Sequence, residues 1–393
     1  MIFKRSLSAI MLISLFLFCG AGECPLYAQE VIRIGAVQPI TGPLAGPGQS
    51  VNAGLAHSLN LANEEGGING KKIEYIMQDG QYNLEVAKKA FEKIMDLHKP
   101  PIMFGESTAL GLAMATEIRD RYKVLYTSTS FSGKLAYTSW NQYVFVCGPT
   151  YADQVAILLK YIARQNRKAK VAFLCSNTEM GKDPIDFGKL MCTKLGLDTV
   201  AAEFVSIKGD NIGKEIQAIK DKDPDYVILH GFVGGPVPKI IKECRQIGIR
   251  SNFAGTLWET NKEVLEALGP LAEGYLGVSP YSFWWMTDVP GIQKIHAYNE
   301  KHHPGVSYPN TNSYIHGFVT GMVFAEILRK ADRAGKLNGD GLVSALQSLH
   351  GFETAGLSGP LTFKNNRFPT ARVWRANTEK NVFEPVSEWT DPY

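Results

Sequence analysis

Residues 31–45 read VIRIGAVQPITGPLA, and this stretch decides how the chain begins to fold. Its first five residues are β-branched except for one arginine and one glycine, a composition typical of a strand. The residues Thr41-Gly42-Pro43 then give a turn signal. A helix-length segment follows over 48–65, in which apolar side chains recur at helical spacing: Val51, Leu55, Leu59 and Ala62. The stretch therefore predicts a strand that leads through a turn into an amphipathic helix.

The same alternation of strand and helix continues along the chain and restarts after Pro149. We predict strands at 73–76, 102–104, 124–126, 171–174, 199–205, 226–229 and 275–278, and helices at 84–96, 152–165, 184–195, 212–220, 238–247 and 262–268. Residues 298–349 are predicted to be helical again, and hairpins are expected over 359–393. Alternating strands and helices predict an α/β fold whose parallel sheets are covered on both faces.

Two such runs, followed by a return of helices and late hairpins, predict two lobes between which the chain crosses more than once. We expect residues 29–148 together with 282–358 to form the first lobe, and residues 149–281 together with 359–393 to form the second. Ligands of open α/β sheets bind beyond the carboxyl ends of the strands. A cleft between the lobes is therefore the expected binding site.

The composition fits a globular protein and excludes several other classes. Of the 393 residues, 45% are hydrophobic and 20% are charged, which excludes a disordered or collagen-like chain. The 41 basic and 38 acidic residues give a net charge of +3, which offers no electrostatic footprint for a nucleic acid. We therefore expect no nucleic-acid partner.

The first 28 residues have the order of a secretory signal peptide. Lys4-Arg5 precede an apolar run over residues 7–18, and small residues follow at 20–22. The run is too short for a membrane-spanning helix, which needs about twenty residues. Cleavage is expected after Ala28 or after Ala21, and the mature protein is expected in the periplasm.

Four cysteines lie beyond this leader: Cys147, Cys175, Cys192 and Cys244. Their spacing excludes a CxxC metal or redox motif. A disulfide remains open in an exported protein, but the sequence does not choose among the possible pairings. We expect at least two of the four to be buried free thiols.

No catalytic motif accompanies the strand and helix pattern. The eight histidines are scattered, and Gly35 begins no dinucleotide fingerprint. The sequence also contains no nucleophile elbow, zinc-protease helix or P-loop. We therefore expect a protein that is not an enzyme and that uses no cofactor or metal.

Several motifs follow one another along the chain at the spacing of one known family. Residues 35–45 read G-x-x-x-P-I-T-G-x-x-A, and residues 63–72 read NEEGGINGKK. Shorter matches are Asp79, Gly105-Glu106-Ser107-Thr108, and residues 272–275 and 356–363. Together, behind a signal peptide, these segments resemble the leucine/isoleucine/valine-binding class of periplasmic substrate-binding proteins.

This resemblance implies a type I periplasmic binding protein, a Venus flytrap of two doubly wound parallel-sheet lobes joined by a three-stranded hinge. It implies that an amino acid or a similar small carboxylate is captured between the lobes by hinge closure. The expected partners are this small-molecule ligand and the membrane permease subunits of an ABC importer, and the protein is expected to be a monomer. The alternative is a ligand-sensing binding protein for amides, urea or aromatic carboxylates.

The resemblance places the ligand's carboxylate on the first lobe, at the ends of two strands. Ser107 and Thr108 occupy one of these loops and Thr129 and Ser130 the other, with Ser107 and Ser130 as the preferred ligand-binding residues. Thr41 adds a hydroxyl at the end of the first strand. The alternative for such loops is ordinary turn and N-cap chemistry.

The resemblance also implies a carboxylate on the second lobe that meets the ligand's ammonium. Leu257 stands at that position in this chain, and Trp258 and Glu259 follow it. Glu259 reaches the ammonium if the loop is shifted; otherwise it is a solvated residue before a helix. If neither Leu257 nor Glu259 supplies the charge, the ligand is a plain carboxylate or an amide.

Four further residues are candidates for the pocket wall. Met180 and Phe232 stand where family members commonly have tyrosine, which predicts a less polar pocket. Trp258 is expected to line the cleft. Tyr281 begins an aromatic segment, residues 281–285, whose rings either stack on an aromatic ligand or pack between the lobes.

Overall fold

The segment that begins at Val31 forms an interior strand of a parallel sheet. The computed structural model describes residues 30–137, 140–233, 235–306 and 311–392. In it, β1 (Val31–Gln38) pairs with β2 (Lys72–Asp79) and with β3 (Ile102–Gly105), and β3 pairs with β4 (Leu125–Ser128). The order across this first sheet is β2-β1-β3-β4. Every residue from Ile34 to Gln38 is buried, as expected for a strand covered on both faces.

A second sheet holds the remaining strands of the described residues. They are β5 (Lys170–Ser176), β6 (Asp198–Val205), β7 (Tyr226–His230), β8 (Asn252–Gly255), β9 (Leu276–Ser279), β10 (Arg372–Asn377) and β11 (Val382–Pro385). Their order is β11-β10-β9-β8-β7-β5-β6. The pairings among β5–β9 are parallel, whereas β10 is antiparallel to both β9 and β11. The predicted late hairpin therefore extends one edge of this sheet, which makes the sheet mixed rather than wholly parallel.

Helices cover both sheets. In chain order they are α1 (Ala45–Glu64), α2 (Leu84–His98), α3 (Thr108–Ala113), α4 (Ala115–Glu117), α5 (Gly133–Ala136), α6 (Tyr151–Gln165), α7 (Glu179–Lys182), α8 (Ile185–Leu195), α9 (Gly213–Lys220), α10 (Val237–Gln246), α11 (Lys262–Leu268), α12 (Pro290–His302), α13 (Asn312–Arg333) and α14 (Gly339–Gln347). The helical stretch predicted over 298–349 thus falls within α12, α13 and α14. A π-turn at Ile118–Tyr122 and 3-10 turns at Leu257–Glu259 and Gly269–Ala272 complete the described helical segments.

Local chemistry explains where these helices begin and how closely they pack. The side chain of Asn83 accepts hydrogen bonds from the backbone N–H groups at the start of α2. Thr150 and Asp153 form a capping box at the start of α6. The absence of a side chain at Gly54 lets the backbones of α1 and α13 come into direct contact, since a Cβ there would collide with the carbonyl of Tyr314.

The second sheet separates two apolar cores. Along β5, Val171, Phe173 and Cys175 face one core, and Ala172 and Leu174 face the other. This alternation follows from the two-residue period of a strand. Because both faces of the sheet are buried under helices, the doubly wound architecture predicted for this part of the chain is confirmed.

The chain passes between the two sheets three times, over residues 145–150, 280–289 and 358–371. The N–H of Val146 in the first passage donates to the carbonyl of Asn366 in the third, at 2.9 Å. The N–H of Ser282 in the second passage donates to the carbonyl of Leu357, the residue immediately before the third passage, at 2.8 Å. The three passages are thus linked by backbone hydrogen bonds, as a three-stranded hinge requires.

A buried ion pair reinforces this junction. The Arg367 guanidinium contacts the Asp153 carboxylate through two nitrogens, at 2.5 Å and 3.0 Å, and the two side chains are 1% and 0% exposed. Asp153 also accepts the N–H of Thr150 at 2.9 Å. A single carboxylate therefore connects the start of α6 with the last passage between the sheets.

The structure tests the predictions about the cysteines but not the prediction of a signal peptide. The predicted signal peptide, residues 1–28, lies outside the described residues. Cys147, Cys175, Cys192 and Cys244 are all buried free thiols, so the disulfide that the sequence left open does not form among them. No helix within the described ranges combines the length and the apolar character needed to cross a membrane.

Candidate functional site

A cavity lies between the two sheets, beyond the carboxyl ends of their parallel strands. Residues that follow β1, β2, β3 and β4 line it on one side, and residues that follow β5, β7 and β8 line it on the other. The lining residues are Pro39, Leu44, Pro47, Gly48, Val51, Tyr82, Glu106, Ser107, Thr108, Thr129, Ser130, Tyr151, Met180, Val233 and Trp258. This is the position at which open α/β sheets bind ligands.

A wider groove opens beside the cavity and shares part of its wall. It is lined in part by Pro47, Val233 and Trp258, which also line the cavity. Leu257 lines this groove and not the cavity, and its N–H donates to the Gln154 side chain at 3.0 Å. The two spaces together form a cleft between the sheets.

The four hydroxyl residues predicted on the first lobe come together on one wall of the cavity. Thr108 Oγ1 and Ser130 Oγ lie 2.6 Å apart. Thr129 Oγ1 donates to the carbonyl of Glu106 at 2.6 Å. Ser107 Oγ accepts the N–H of Leu110 at 3.1 Å, so Ser107 is the N-cap of α3. Ser107 thus caps a helix, as the alternative interpretation of this loop had it, and also lines the cavity.

The protons of these hydroxyls determine what they offer to a ligand. The O–H of Thr129 is already used, because it donates to a carbonyl. The pair formed by Thr108 and Ser130 uses one O–H internally and leaves the other free. Ser107 only accepts within the protein, so its O–H is free. The wall therefore presents O–H donors that suit the oxygens of a carboxylate.

The opposite wall is largely apolar and holds a fixed aromatic ring. Trp258 Nε1 donates to the hydroxyl of Tyr151 at 3.1 Å, and the Trp258 ring lies nearly parallel to the buried His316 ring. Burial lowers the pKa of His316 to about 3, so this ring is neutral and packs as an aromatic. Met180 and Val233 complete the apolar surface. Trp258 and Met180 thus lie where the sequence placed them, at the cleft.

Three other predicted residues do not line the cavity. Thr41 is exposed, and its hydroxyl donates to Asp79 at 2.6 Å, because the turn after β1 folds back onto the end of β2. Phe232 is fully buried in the core of the second sheet. Tyr281 is buried between the sheets, with its hydroxyl 3.4 Å from His316 Nδ1. The interlobe packing considered for Tyr281 is therefore the arrangement present.

Glu259, the candidate partner for an ammonium, points away from the cavity into the core of the second sheet. The 3-10 turn at Leu257–Glu259 turns its side chain inward, where the exposed fraction is 0%. Its carboxyl accepts the N–H of Phe232 at 2.6 Å and lies 2.7 Å from Thr256 Oγ1. Both sequence interpretations of Glu259 are corrected, since it neither faces the cleft nor lies in solvent. The adjacent helix α11 is capped by Asn261 instead.

A chain of hydrogen bonds indicates that Glu259 holds a proton. His230 Nε2 lies 2.9 Å from the Met180 carbonyl, which only accepts, so that nitrogen carries the ring proton. Burial lowers the pKa of His230 to about 4, and the neutral ring then accepts at Nδ1 from Thr256 Oγ1, 2.8 Å away. Thr256 has no second proton, so a protonated Glu259 completes the chain. Burial accordingly raises the pKa of Glu259 to about 7.

Glu106 is a cavity residue that the sequence analysis missed. It lies directly after β3, its exposed fraction is 3%, and its carboxyl accepts the N–H of Tyr82 at 3.3 Å. Burial raises the pKa of Glu106 to about 7, and the nearby Asp79 carboxylate adds to this effect. The sequence did contain a signal for this residue: Glu106 is acidic, follows a predicted strand at its carboxyl end and adjoins Ser107, which was predicted to bind the ligand.

The comparisons with known proteins agree on one family. A sequence model of the periplasmic binding protein family matches residues 31–380. The leucine-, isoleucine-, valine-, threonine- and alanine-binding protein of Pseudomonas aeruginosa is 22% identical over 260 residues, which are 65% of this chain and 68% of that protein. The Leu/Ile/Val-binding protein of Escherichia coli is 20% identical over 259 residues, 65% of this chain and 69% of that protein.

Solved structures share the fold. The branched chain amino acid ABC transporter protein of Thermus thermophilus, with bound valine, has a TM-score of 0.83 and 23% identity, covering 92% of this chain and 97% of its own. The fatty acid ABC transporter substrate-binding protein of Thermomonospora curvata has a TM-score of 0.76 and 17% identity, with 92% of each chain covered. At these identities the likeness shows the fold alone: one of these structures holds valine, and the other is named for a fatty acid transporter.

Proposed function

Because the chain belongs to the periplasmic binding protein family, we propose that it captures an amino acid or a similar small carboxylate as the solute-binding component of an ABC importer. The observation that carries this proposal is the cavity wall of free O–H donors, at the carboxyl ends of β3 and β4, opposite an apolar wall from the other sheet. The names of the amino-acid-binding relatives support the ligand class.

The two walls suggest how capture leads to closure. The first lobe supplies the hydroxyls of Ser107 and the Thr108–Ser130 pair, whereas the second supplies Met180, Val233 and Trp258. A ligand that binds the hydroxyl wall gains the apolar contacts only when the second lobe covers it. The ligand stabilises the closed form by as much as it binds that form more tightly. The closed form is the one that a permease in the membrane recognises.

A thermal-shift screen of the mature protein tests the ligand class. The screen compares aliphatic amino acids, aromatic carboxylates, short amides and urea. A ligand that binds only the folded state raises the melting temperature by mass action. We expect aliphatic amino acids or their close carboxylate analogues to raise it. A rise with urea or short amides alone contradicts the proposal and favours an amide sensor.

Substitution of Ser107 tests the hydroxyl wall. We expect Ser107→Ala to weaken the affinity for the ligand found in the screen by about tenfold, since one hydrogen bond to a charged group is lost. The same change also removes the N-cap of α3, which costs about 1 kcal/mol of stability. Asn338→Ala is the matched control, because Asn338 caps α14 outside the cavity. An affinity equal in both variants contradicts the role of Ser107.

A further inference from the structure

The cavity contains one carboxyl group and no basic side chain among its lining residues. Its polar members are Tyr82, Glu106, Tyr151 and the hydroxyl set Ser107, Thr108, Thr129 and Ser130. Hydroxyls serve either a donor or an acceptor on the ligand. An ionised carboxylate only accepts hydrogen bonds. Glu106 is therefore the lining residue that requires the ligand to carry a hydrogen-bond donor where the two meet.

Glu106 has acceptor capacity that the protein does not use. An ionised carboxylate has about four lone-pair sites. Among the described residues, the Glu106 carboxyl takes one hydrogen bond, from the N–H of Tyr82. The loop that supplies this N–H is packed onto the carboxyl, since a Cβ at Gly80 would collide with it. The side chain is thus fixed in place, 3% exposed, with its remaining capacity at the cavity.

The second lobe offers no carboxyl at the cavity among the described residues. Leu257 occupies the position where the sequence comparison led us to look for one, and Glu259 is turned into the core. Glu263 of the second lobe lines the adjoining groove but not the cavity, so a positive charge held within the cavity meets its counter-charge on the first lobe. Glu106 is also the chain neighbour of Ser107, whose free O–H suits a carboxylate. Donor and acceptor groups for an amine and a carboxylate thus lie side by side.

Resting on the proposed function, we propose that Glu106 binds the amine of the ligand on the first lobe, so that the captured class is amine-bearing carboxylates rather than plain carboxylates. The amine donates to the free acceptor sites of Glu106, and the ligand's carboxylate accepts from Ser107 and from the Thr108–Ser130 pair. Both charged ends of the ligand are then held before the second lobe closes over its apolar part.

The groups around Glu106 determine how this contact depends on pH. Asp79 faces it from the end of β2, Tyr82 from the next loop, Tyr126 from β4 and Tyr151 from α6. Burial and the Asp79 carboxylate favour the protonated carboxyl, whereas the hydrogen bond from the Tyr82 N–H favours the ionised form. An ammonium favours the ionised form. Binding of an amine below neutral pH therefore releases a proton from Glu106, and affinity increases as the pH rises toward 8.

Isothermal titration of wild type and Glu106→Gln tests this with matched ligand pairs. The pairs are L-valine with 3-methylbutanoate, L-leucine with 4-methylpentanoate, and L-phenylalanine with 3-phenylpropanoate, which differ within each pair only by the amine. We expect wild type to prefer an amine-bearing member by about tenfold to a hundredfold, as for a charge-assisted hydrogen bond. Glu106→Gln should lose most of that preference, together with the increase in affinity between pH 6 and pH 8.

Glu259→Gln is the control for changing a buried carboxyl outside the cavity, and it should keep the amine preference. Equal affinity for both members of every pair in wild type overturns the inference and leaves the proposed function standing. An amine preference that persists in Glu106→Gln also overturns it, as does affinity that falls from pH 6 to pH 8, which indicates a protonated Glu106 donating to the ligand. Failure of all six probes to bind wild type overturns the inference together with the proposed ligand class.

Discussion

Two buried glutamates, each following a strand of a different sheet, behave in opposite ways. Glu106 follows β3 in the first sheet and Glu259 follows β8 in the second, and burial raises the pKa of each to about 7. Glu259 is saturated by the N–H of Phe232 and by Thr256. Within the described part of the chain, the Glu106 carboxyl accepts only the N–H of Tyr82, and it faces the cavity.

The difference shows that burial and a raised pKa do not by themselves indicate a binding residue. In the second sheet the carboxyl is part of the core, where it organises the loops after β7 and β8. In the first sheet its acceptor sites are left open at a cavity wall. Unused hydrogen-bonding capacity, rather than burial, separates a binding group from a structural one.

The largest loss of stability is expected at the buried ion pair of Arg367 and Asp153, because this carboxylate has a full counter-charge, unlike the two glutamates. Replacing Arg367 by Met leaves Asp153 buried without its cation, and we expect the free energy of unfolding to fall by about 3–5 kcal/mol in urea titrations. The double variant Arg367→Met, Asp153→Asn should recover part of this loss, since Asn keeps an acceptor for Thr150. A single variant that loses less than about 1 kcal/mol contradicts the importance of the pair.

A smaller effect distinguishes the two glutamates directly. Glu259→Ala leaves the N–H of Phe232 without a partner and removes the contact of Thr256 Oγ1 with the carboxyl, so the free energy of unfolding should fall by about 2–3 kcal/mol. Glu259→Gln should retain most of the stability at pH 7, because its amide mimics the protonated carboxyl. Glu106→Ala should leave the unliganded protein almost as stable as wild type. Equal losses in the two alanine variants would remove the distinction between a structural and a binding carboxyl.

The smallest effect is on the pH dependence of stability. A carboxyl whose pKa is higher in the folded than in the unfolded state stabilises the protein fully below the unfolded value, near 4.5, and loses that contribution as the pH rises through about 7. Between pH 6 and 7 the free energy of unfolding of wild type should therefore fall relative to that of Glu259→Gln, by about 1 kcal/mol.

The difference between wild type and variant is the quantity to measure, because buried histidines titrate in the opposite sense. Burial lowers the pKa of His57 and His230 to about 4 and that of His316 to about 3, so their contributions to stability build up as the pH rises from these values to about 6.5. A difference curve that is flat between pH 5 and pH 8 contradicts a protonated Glu259 in the folded protein.

Much of the fold could be read from residues 31–45 and the alternation that follows them. The strands predicted at 102–104, 171–174 and 226–229 lie within β3, β5 and β7. Local periodicity fixes such elements because each strand or helix must bury one face or both. A late hairpin was predicted where β10 and β11 form one, but its antiparallel pairing with β9 was not, since partners distant in sequence leave no local pattern.

The hydroxyls of the first lobe were also predictable, because they stand immediately after strands and within a recognisable motif. Placement of the second lobe's residues was not. Leu257, Trp258 and Glu259 are consecutive, yet one lines the groove, one lines both spaces and one enters the core. A 3-10 turn sends successive side chains in different directions, and only the packing around it selects which one faces the cleft.

The sequence by itself determined the two runs of α/β elements, the family and the hydroxyl-bearing loops that line the cavity, because these depend on local periodicity and on contiguous motifs. The tertiary structure alone decided which of two glutamates is a core residue and which faces the cavity. That choice depends on which distant N–H and hydroxyl groups reach each carboxyl, and these groups come together only when the strands of each sheet are assembled.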